Sequence, residues 1–233
     1  MSTVILLRHG RTTANTGGVL AGWTPGVQLD EKGQEQVQAV AERLAPVPLA
    51  AIVSSPLERC QQTAAAVVAG RQLHVQTDER LGEARYGDWT GRPIKELVKE
   101  PLWKVVQQHP SAAVFPGPEG EGLAQTQARA VAAVREWNVR LGPEAVWLVC
   151  SHGDVIKAIL ADALGVHLDQ FQRIVVDPAS LSVVSYTETR PFVVRVNDTG
   201  GDVSGLIPPK KKRRGRKAAD SDAVVGGGAG SQA

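Results

Sequence analysis

Cysteine is scarce in this chain, which has only Cys60 and Cys150 among its 233 residues. Two cysteines are too few for a disulfide framework, and neither belongs to a Cys-x-x-Cys pair. This usage is typical of a reducing compartment. A cysteine nucleophile for phosphate chemistry would need an arginine six positions later, where the chain has Ala66 and Ile156. The sequence therefore argues against both a disulfide-stapled fold and a cysteine phosphatase.

Long apolar runs and metal-ligand patterns are missing as well. No run approaches the about 18 apolar residues that a membrane-spanning helix needs, and the N-terminus lacks the basic and apolar regions of a secretory leader. We therefore expect a cytoplasmic protein without a membrane span. His-x-x-x-His and Asp-x-His spacings are absent, as is the Gly-x-x-x-x-Gly-Lys-Ser/Thr nucleotide loop. The sequence thus predicts no metal site and no cofactor.

Length and composition are those of an ordinary globular protein. Apolar residues make up 42% and charged residues 21% of the chain, which is long enough for one large α/β domain or two small ones. The charge is unevenly spread. The segment from Pro208 onward holds seven Lys or Arg against two Asp, a balance of +5 in a chain of net charge +2, which leaves −3 for residues 1–207. General attraction to nucleic acid would therefore come from this tail.

The composition changes near residue 204. A Pro-Pro pair precedes the basic block Lys210–Lys217, and the chain finishes in Gly, Ala and Ser. A like-charge block between Pro and Gly cannot bury enough apolar surface to fold. We predict an ordered domain over residues 1–203 and a disordered basic and Gly-rich tail over residues 204–233. For the tail we favour a solvated segment with weak, nonspecific affinity for polyanions over specific nucleic-acid or lipid binding.

Short apolar runs alternate with amphipathic segments along residues 1–203. The apolar runs that end in polar residues predict strands at 4–7, 51–53, 73–75 and 145–150. Helices are predicted at 36–44, 56–69, 94–109 with a break at Pro101, 123–141 and 153–164. Three late strands are predicted at 172–176, 181–187 and 192–196, at least some of them antiparallel. The pattern predicts an α/β fold, a three-layer sandwich with a central mostly parallel sheet and helices on both faces.

Polar side chains follow three of the predicted strands. Arg8 and His9 follow the first, Arg59 lies on the helical turn after the second, and His152 follows the strand at 145–150. Because carboxyl ends of parallel strands share one edge of a sheet, these groups are expected to converge. Guanidinium groups bind phosphate well, and a neutral imidazole can attack phosphorus when a carbonyl holds its other nitrogen as N–H. The sequence therefore predicts a pocket for a dianion with a built-in nucleophile.

A leaving alkoxide would also need a proton. Glu83 lies in the turn-rich stretch Leu81–Gly91, which carries two aromatic residues and is typical of a packed functional loop. A carboxylic acid whose pKa is raised in a partly dry site can supply that proton. We take Glu83 as the candidate, with a merely solvated loop residue as the alternative.

Four motifs of the chain match one family in the family's order. Leu-x-Arg-His-Gly-x-Thr-x-x-Asn runs from Leu6 to Asn15, Ser-Ser-Pro-Leu-x-Arg-x-x-Gln-Thr-Ala from Ser54 to Ala64, Leu-x-Glu-x-x-x-Gly-x-Trp-x-Gly from Leu81 to Gly91, and Ser-His-Gly from Ser151 to Gly153. With these motifs, residues 3–200 resemble the histidine phosphatase superfamily, in the branch of phosphoglycerate mutases and small phosphomonoester phosphatases. A departure is the stretch Pro116–Gly122, where members often have Pro-Gly-Gly-Glu-Ser, so the Ser that would cap the following helix is missing.

The resemblance implies specific roles for the motif residues. His9 would carry the phosphoryl group as a phosphohistidine, and Glu83 would be the proton donor. The phosphate would be bound by Arg8, Arg59 and His152, of which His152 also counts as catalytic. Asn15 and Gly22 would add polar contacts to the substrate. The implied activity is metal-independent hydrolysis of a small phosphorylated metabolite.

Two other functions stay open from the sequence. One is phosphoglycerate mutase-type transfer, which needs an ample lid to keep water from the phosphohistidine, and the segment Gly91–Glu121 is modest for that. The other is a noncatalytic protein that binds anions or nucleic acid through the tail, against which the intact set of His9, Arg59, Glu83 and His152 argues. The sequence does not decide the oligomeric state, a homodimer included.

Overall fold

A computed structural model of the protein describes residues 1–201, Gly226 and Gly228. The strands in this part are β1 (Ser2–Arg8), β2 (Ala51–Ser54), β3 (Val75–Thr77), β4 (Val146–Ser151), β5 (Leu181–Tyr186) and β6 (Pro191–Asp198). They form one sheet in the order β3-β2-β4-β1-β5-β6. The prediction for the tail over residues 204–233 lies outside the described residues, apart from the two glycines.

Strand β1 lies inside the sheet between β4 and β5. It is parallel to β4 and antiparallel to β5, whereas β4 is parallel to β2 and β2 to β3. The register places Leu7 beside Cys150 and Arg8 beside Ser151. The carboxyl ends of β1, β2 and β4 therefore reach the same edge. The expected mostly parallel sheet is confirmed, with β5 and β6 as its antiparallel end.

Helices cover both faces of the sheet. They are α1 (Thr13–Thr16), α2 (Glu31–Leu44), α3 (Glu58–Val68), α4 (Ile94–Leu97), α5 (Pro101–Gln108), α6 (Leu123–Leu141) and α7 (Gly153–Leu164). Successive strand residues point to opposite faces, so each face has its own core. Leu6 and Val149 pack with α6 and α7 on one face, while Leu7 and Cys150 pack with α2 and α3 on the other. This is the predicted three-layer sandwich.

A third cluster of buried apolar residues lies around the loop that follows β3. Trp89 stacks at a tilt on Trp103 with ring centroids 6.2 Å apart, and it meets Phe115 edge-on at 5.6 Å. Tyr86 packs edge-on against the same Phe115 ring at 4.9 Å. The segment that carries α4 and α5 is thus packed onto the loop of Glu83, and this packing gives the loop a fixed shape.

The strand predicted at residues 172–176 is wrong. Residues Leu168–Arg173 form a 3₁₀ helix, in which Leu168 and Phe171 are buried. An apolar residue stands at every third position there, Ile174 included, which suits the three-residue turn of a 3₁₀ helix better than strand alternation. Smaller differences concern boundaries: the helix predicted from residue 56 begins at Glu58, and the strand predicted at 73–75 lies at Val75–Thr77.

Candidate active site

The two histidines of the motifs meet because their strands are neighbours. His9 directly follows β1, and its backbone N–H donates to the carbonyl of Ser151 at the end of β4. His152 follows β4 and is the N-cap of α7. The two imidazole centroids lie 5.2 Å apart at an interplanar angle of 61°. Both side chains are buried, so the sheet edge holds the pair of rings in a nearly water-free place.

His9 is held as a neutral imidazole with a defined tautomer. Its Nδ1 lies 2.7 Å from the carbonyl oxygen of Gly10. Because a carbonyl only accepts, Nδ1 carries the hydrogen and Nε2 keeps its lone pair. Burial lowers the pKa of His9 well below the ordinary value, and the positive charges of Arg59 and Arg8 lower it further. An uncharged Nε2 can act as a nucleophile.

Arg59 is placed beside both histidines by the first turn of α3. Its Nη2 donates to the carbonyl of Gly22 at 2.9 Å and lies 3.2 Å from Nδ1 of His152. Its Nη1 is buried and has no hydrogen-bond partner among the residues that the structure describes. Leaving a charged donor buried and unpaired is unfavourable, so this atom indicates a site for an anion.

Gly22 contributes its backbone carbonyl, which accepts a hydrogen bond from Arg59. Its φ of +50° is in the left-handed region, which favours glycine. A Cβ atom at this position would lie 3.0 Å from the Thr90 hydroxyl oxygen and 3.1 Å from the Tyr86 ring. Glycine thus lets the carbonyl approach Arg59 closely.

His152 is also neutral. Its Nδ1 accepts from Arg59, which leaves the hydrogen on Nε2, 2.8 Å from the Ser55 hydroxyl. Burial lowers the pKa of His152 well below the ordinary value, and Arg59 and then His9 lower it further. Nδ1 of His152 lies 3.9 Å from a carboxyl oxygen of Glu83, so the predicted proton donor stands close to the histidine pair. Ser55 was not among the predicted site residues, although the Ser-Ser-Pro motif contains it.

Glu83 is a buried carboxyl whose loop is fixed from two sides. Its Oε1 accepts from the Ala84 N–H at 2.9 Å. Its own backbone carbonyl accepts from Nε1 of Trp23 at 2.7 Å and from the guanidinium of Arg129 at 3.0 Å. Burial, together with the negative charge of Asp154, raises the pKa of Glu83 to about 7. A substantial fraction of the molecules therefore carries a proton on Glu83 at neutral pH, as a general acid requires.

Asp154 and its partners were missed by the sequence analysis. Asp154 is 1% exposed in the first turn of α7, two residues after His152. Its carboxylate accepts from the Tyr86 hydroxyl at 2.9 Å and contacts Nζ of Lys157 at 3.5 Å. The only signal in the sequence was an acidic residue after Ser-His-Gly, and nothing local shows that it reaches the Glu83 loop.

A cavity of about 110 Å³ lies at this sheet edge. Of the predicted site residues, five line it: His9, Asn15, Gly22, Arg59 and Glu83. Arg8 and His152 are buried and are not among the residues that line it. The guanidinium of Arg8 donates to the carbonyl of Val176 at 2.8 Å and, at 3.4 Å, to that of Gly226, which itself lines the cavity.

Asn15 has a clear structural role. Its amide oxygen accepts from the backbone N–H and the hydroxyl of Thr12, at 3.0 and 2.9 Å, and so caps the short helix α1. This cap shapes the cavity wall after β1. A contact between Asn15 and a substrate stays a prediction.

The described part of the chain contains neither a candidate metal site nor a candidate membrane-spanning helix. No group of three or more His, Cys, Asp or Glu side chains is arranged there to hold a metal ion. Among the helices of that part, none combines the length and apolar character needed to cross a bilayer.

This fold and site define an α/β protein with two neutral histidines beside a buried arginine at one edge of the sheet, and sequence comparison places it in a family. The sequence model of the histidine phosphatase superfamily, branch 1, matches residues 4–199. The chain belongs to this family, which confirms the resemblance seen in the motifs.

Individual relatives differ in activity. Phosphoserine phosphatase 1 of Hydrogenobacter thermophilus is 31% identical over 202 residues, 85% of this chain and 93% of its own. The protein named "Probable phosphoglycerate mutase GpmB" of Yersinia enterocolitica is 31% identical over 214 residues, 90% of this chain and 97% of its own. The solved mycobacterial glucosyl-3-phosphoglycerate phosphatase, in a complex with VO3, superimposes with a TM-score of 0.74 at 26% identity and covers 84% of this chain and 98% of that one.

Proposed function

We propose that the protein is a phosphatase that hydrolyses small-molecule phosphomonoesters through a phosphohistidine on His9. The observation that carries the proposal is the neutral imidazole of His9, whose tautomer is fixed by the Gly10 carbonyl, in a cavity that is also lined by Arg59. Nη1 of Arg59 is buried and has no hydrogen-bond partner among the described residues. A nucleophile beside a buried cation suits a phosphoryl group. The phosphatases among the relatives support the same class of substrate.

In the first step, the phosphoryl group binds between Arg59 and His9. Nε2 of His9 forms a bond to phosphorus while the bond from phosphorus to the ester oxygen breaks. Glu83 gives its proton to the departing alkoxide, so an alcohol leaves. Arg59, with Arg8 and His152 behind it, offsets the charge on the phosphoryl oxygens during the transfer.

In the second step, a water molecule replaces the alcohol. Glu83, now a carboxylate, takes a proton from this water as its oxygen attacks phosphorus. The bond between phosphorus and Nε2 breaks, inorganic phosphate leaves, and both His9 and Glu83 return to their starting protonation. The cycle uses no metal ion, so we expect full activity in the presence of EDTA.

Mutase-type transfer is the second candidate, and the relative named as a phosphoglycerate mutase supports it. A mutase must shield the phosphohistidine from water, whereas a phosphatase admits water after the alcohol leaves. Incubation with a panel of phosphorylated metabolites separates the two. Phosphate release indicates the phosphatase, and isomerisation of 3-phosphoglycerate without phosphate release indicates the mutase.

The two free cysteines, both buried, are compatible with the cytoplasmic location that we expect.

The substitution His9→Ala tests the nucleophile. We expect phosphate release to fall by about 10⁴-fold or more, as when a catalytic nucleophile is removed, together with loss of an acid-labile, alkali-stable phosphoenzyme. His74→Ala is the control, because His74 is exposed and outside the cavity. If acid-quenched wild type carried its phosphate on Ser or Asp, His9 would not be the nucleophile.

A further inference from the structure

The cavity beside His9 contains residues from the far end of the chain. Gly226 and Gly228, from the glycine-rich C-terminus, line it together with His9, Arg59 and Glu83. Their presence there does not follow from the family motifs, which end at Gly153, or from the sheet, which ends at Asp198.

Gly226 is fixed in this place by polar contacts at both of its backbone groups. Its carbonyl accepts from the guanidinium of Arg8 at 3.4 Å. Its N–H donates to the carboxylate of Asp154 at 2.9 Å, the same oxygen that accepts from Tyr86. A carbonyl oxygen of the chain thus occupies a donor of Arg8, one of the two guanidiniums assigned to the phosphoryl group.

The fit around Gly226 is close and specific for glycine. Its φ of +74° is in the left-handed region, and a Cβ atom would come within 2.9 Å of a methyl group of Leu20 and 3.4 Å of the Tyr86 hydroxyl. Leu20 and Tyr86 are themselves buried. A side chain at position 226 would therefore disfavour the docked arrangement.

The two glycines take up part of the space beside His9 that a substrate would use. The cavity measures about 110 Å³. A cavity of about 150 Å³ holds benzene, and the phosphomonoester of a hydroxy acid has about twice as many heavy atoms. His9 is only 3% exposed with the glycines in place. The C-terminal glycines and a substrate therefore compete for the same space.

We propose that Gly226 and Gly228 form an intrachain plug, in which Gly226 docks on Arg8 and Asp154, and that this plug competes with the phosphomonoester for the active site. The proposal rests on the proposed function for the identity of the competing ligand. Because the plug is tethered to the domain, its effective concentration is on the order of millimolar, so weak docking suffices to raise the apparent KM.

The substitution Gly226→Val in the full chain tests the plug. The β-branched side chain disfavours a positive φ, so we expect the KM for p-nitrophenyl phosphate and the Kd for orthovanadate to fall by about fivefold or more, with kcat unchanged. Gly201→Val is the matched control, because Gly201 has a φ of +86° with no atom near its Cβ position. This control should behave as wild type.

A peptide of residues 223–233 adds a second measurement. Added at millimolar concentration to the Gly226→Val protein, it should restore the higher KM competitively, and a peptide that carries the same substitution should not. An unchanged KM in Gly226→Val would overturn the plug, and so would a lower kcat/KM, which would make the glycines a wall of the substrate site. Equal vanadate affinity in the wild type, Gly226→Val and Gly201→Val would reject the plug but not the proposed function. If none of these three proteins bound vanadate, both the proposed function and the plug would be rejected.

Discussion

The carboxyl of Glu83 shows how one residue acquires a role that its local sequence does not specify. Burial of the carboxyl away from water raises its pKa, and the neighbouring negative charge of Asp154 raises this pKa further, to about 7. Arg59 and Arg8 act in the opposite direction, although less strongly than burial. The proton on Glu83 therefore depends on burial and on a carboxylate from another element, not on the loop alone.

Asp154→Asn should change the pH dependence of the reaction. A general acid must be protonated when the alcohol leaves, so kcat/KM for an alkyl phosphate falls as pH rises through the pKa of Glu83 in the free enzyme. Removing the negative charge of Asp154 lowers that pKa, and the alkaline limb of the kcat/KM profile should move to lower pH by about one unit. Measurement of kcat/KM for an alkyl phosphate from pH 5 to pH 9 checks this. Asp162→Asn, on the same helix, is the control and should leave the limb in place; a uniform loss at every pH would mean that Asp154 is only structural.

Glu83→Gln should separate substrates by their leaving groups. A sugar or glycerate alkoxide needs a proton in the transition state, and general acid catalysis contributes about 10²–10⁴-fold, whereas nitrophenolate leaves without this help. We expect kcat/KM to fall by that factor for an alkyl phosphate and much less for p-nitrophenyl phosphate. Affinity for vanadate should persist, because the amide keeps the shape of the side chain. An equal loss for both substrates would make Glu83 a positioning residue and turn attention to Asp88 on the same loop.

Among the elements, those with a clear apolar period were predicted well. Helix α6 spans Leu123–Leu141 as predicted, since its buried residues follow one helical stripe. Helix α2 begins at Glu31, five residues before the predicted start, and its first turn contains Gly33, a residue with low helix propensity. Asp30 nevertheless caps the helix through the N–H of Gly33 at 2.7 Å. A glycine in a helix can have a tertiary reason that its own sequence does not show.

That reason is contact between α2 and the turn that carries His9. A Cβ atom on Gly33 would lie 2.0 Å from the carbonyl oxygen of Arg11, so Gly33→Ala must displace the turn or the helix. Although alanine ordinarily favours a helix by about 0.5–1 kcal/mol over glycine, we expect Gly33→Ala to lower both the unfolding midpoint in urea and kcat. Gly122→Ala is the control, since its nearest neighbours would be 3.5 Å away and its φ is −81°. A Gly33→Ala protein as stable and active as wild type would contradict this.

For the molecule as a whole, the order of the parallel strands explains what could be predicted about the site. The strand ends that deliver His9, Arg59 and His152 had to meet once β1, β2 and β4 were parallel neighbours. The contacts of Asp154 with the Glu83 loop, and of Gly226 with Arg8, join positions far apart in the chain. No short motif or apolar period encodes such a pairing, which exists only in the folded chain.

The distribution of charge over the whole chain leads to a separate prediction. Residues 1–207 carry −3 and the segment from Pro208 carries +5, so contacts with polyanions should depend on the block Lys210–Lys217. Replacing the seven basic residues of this block with Ser or Gln should abolish retention on heparin or DNA at low salt. Retention of the wild type should weaken steeply as salt rises, because bound phosphates release their counterions. Since none of these residues belongs to the proposed catalytic machinery, kcat/KM without polyanion should stay unchanged; retention that survives the replacement would place the binding surface on the domain instead.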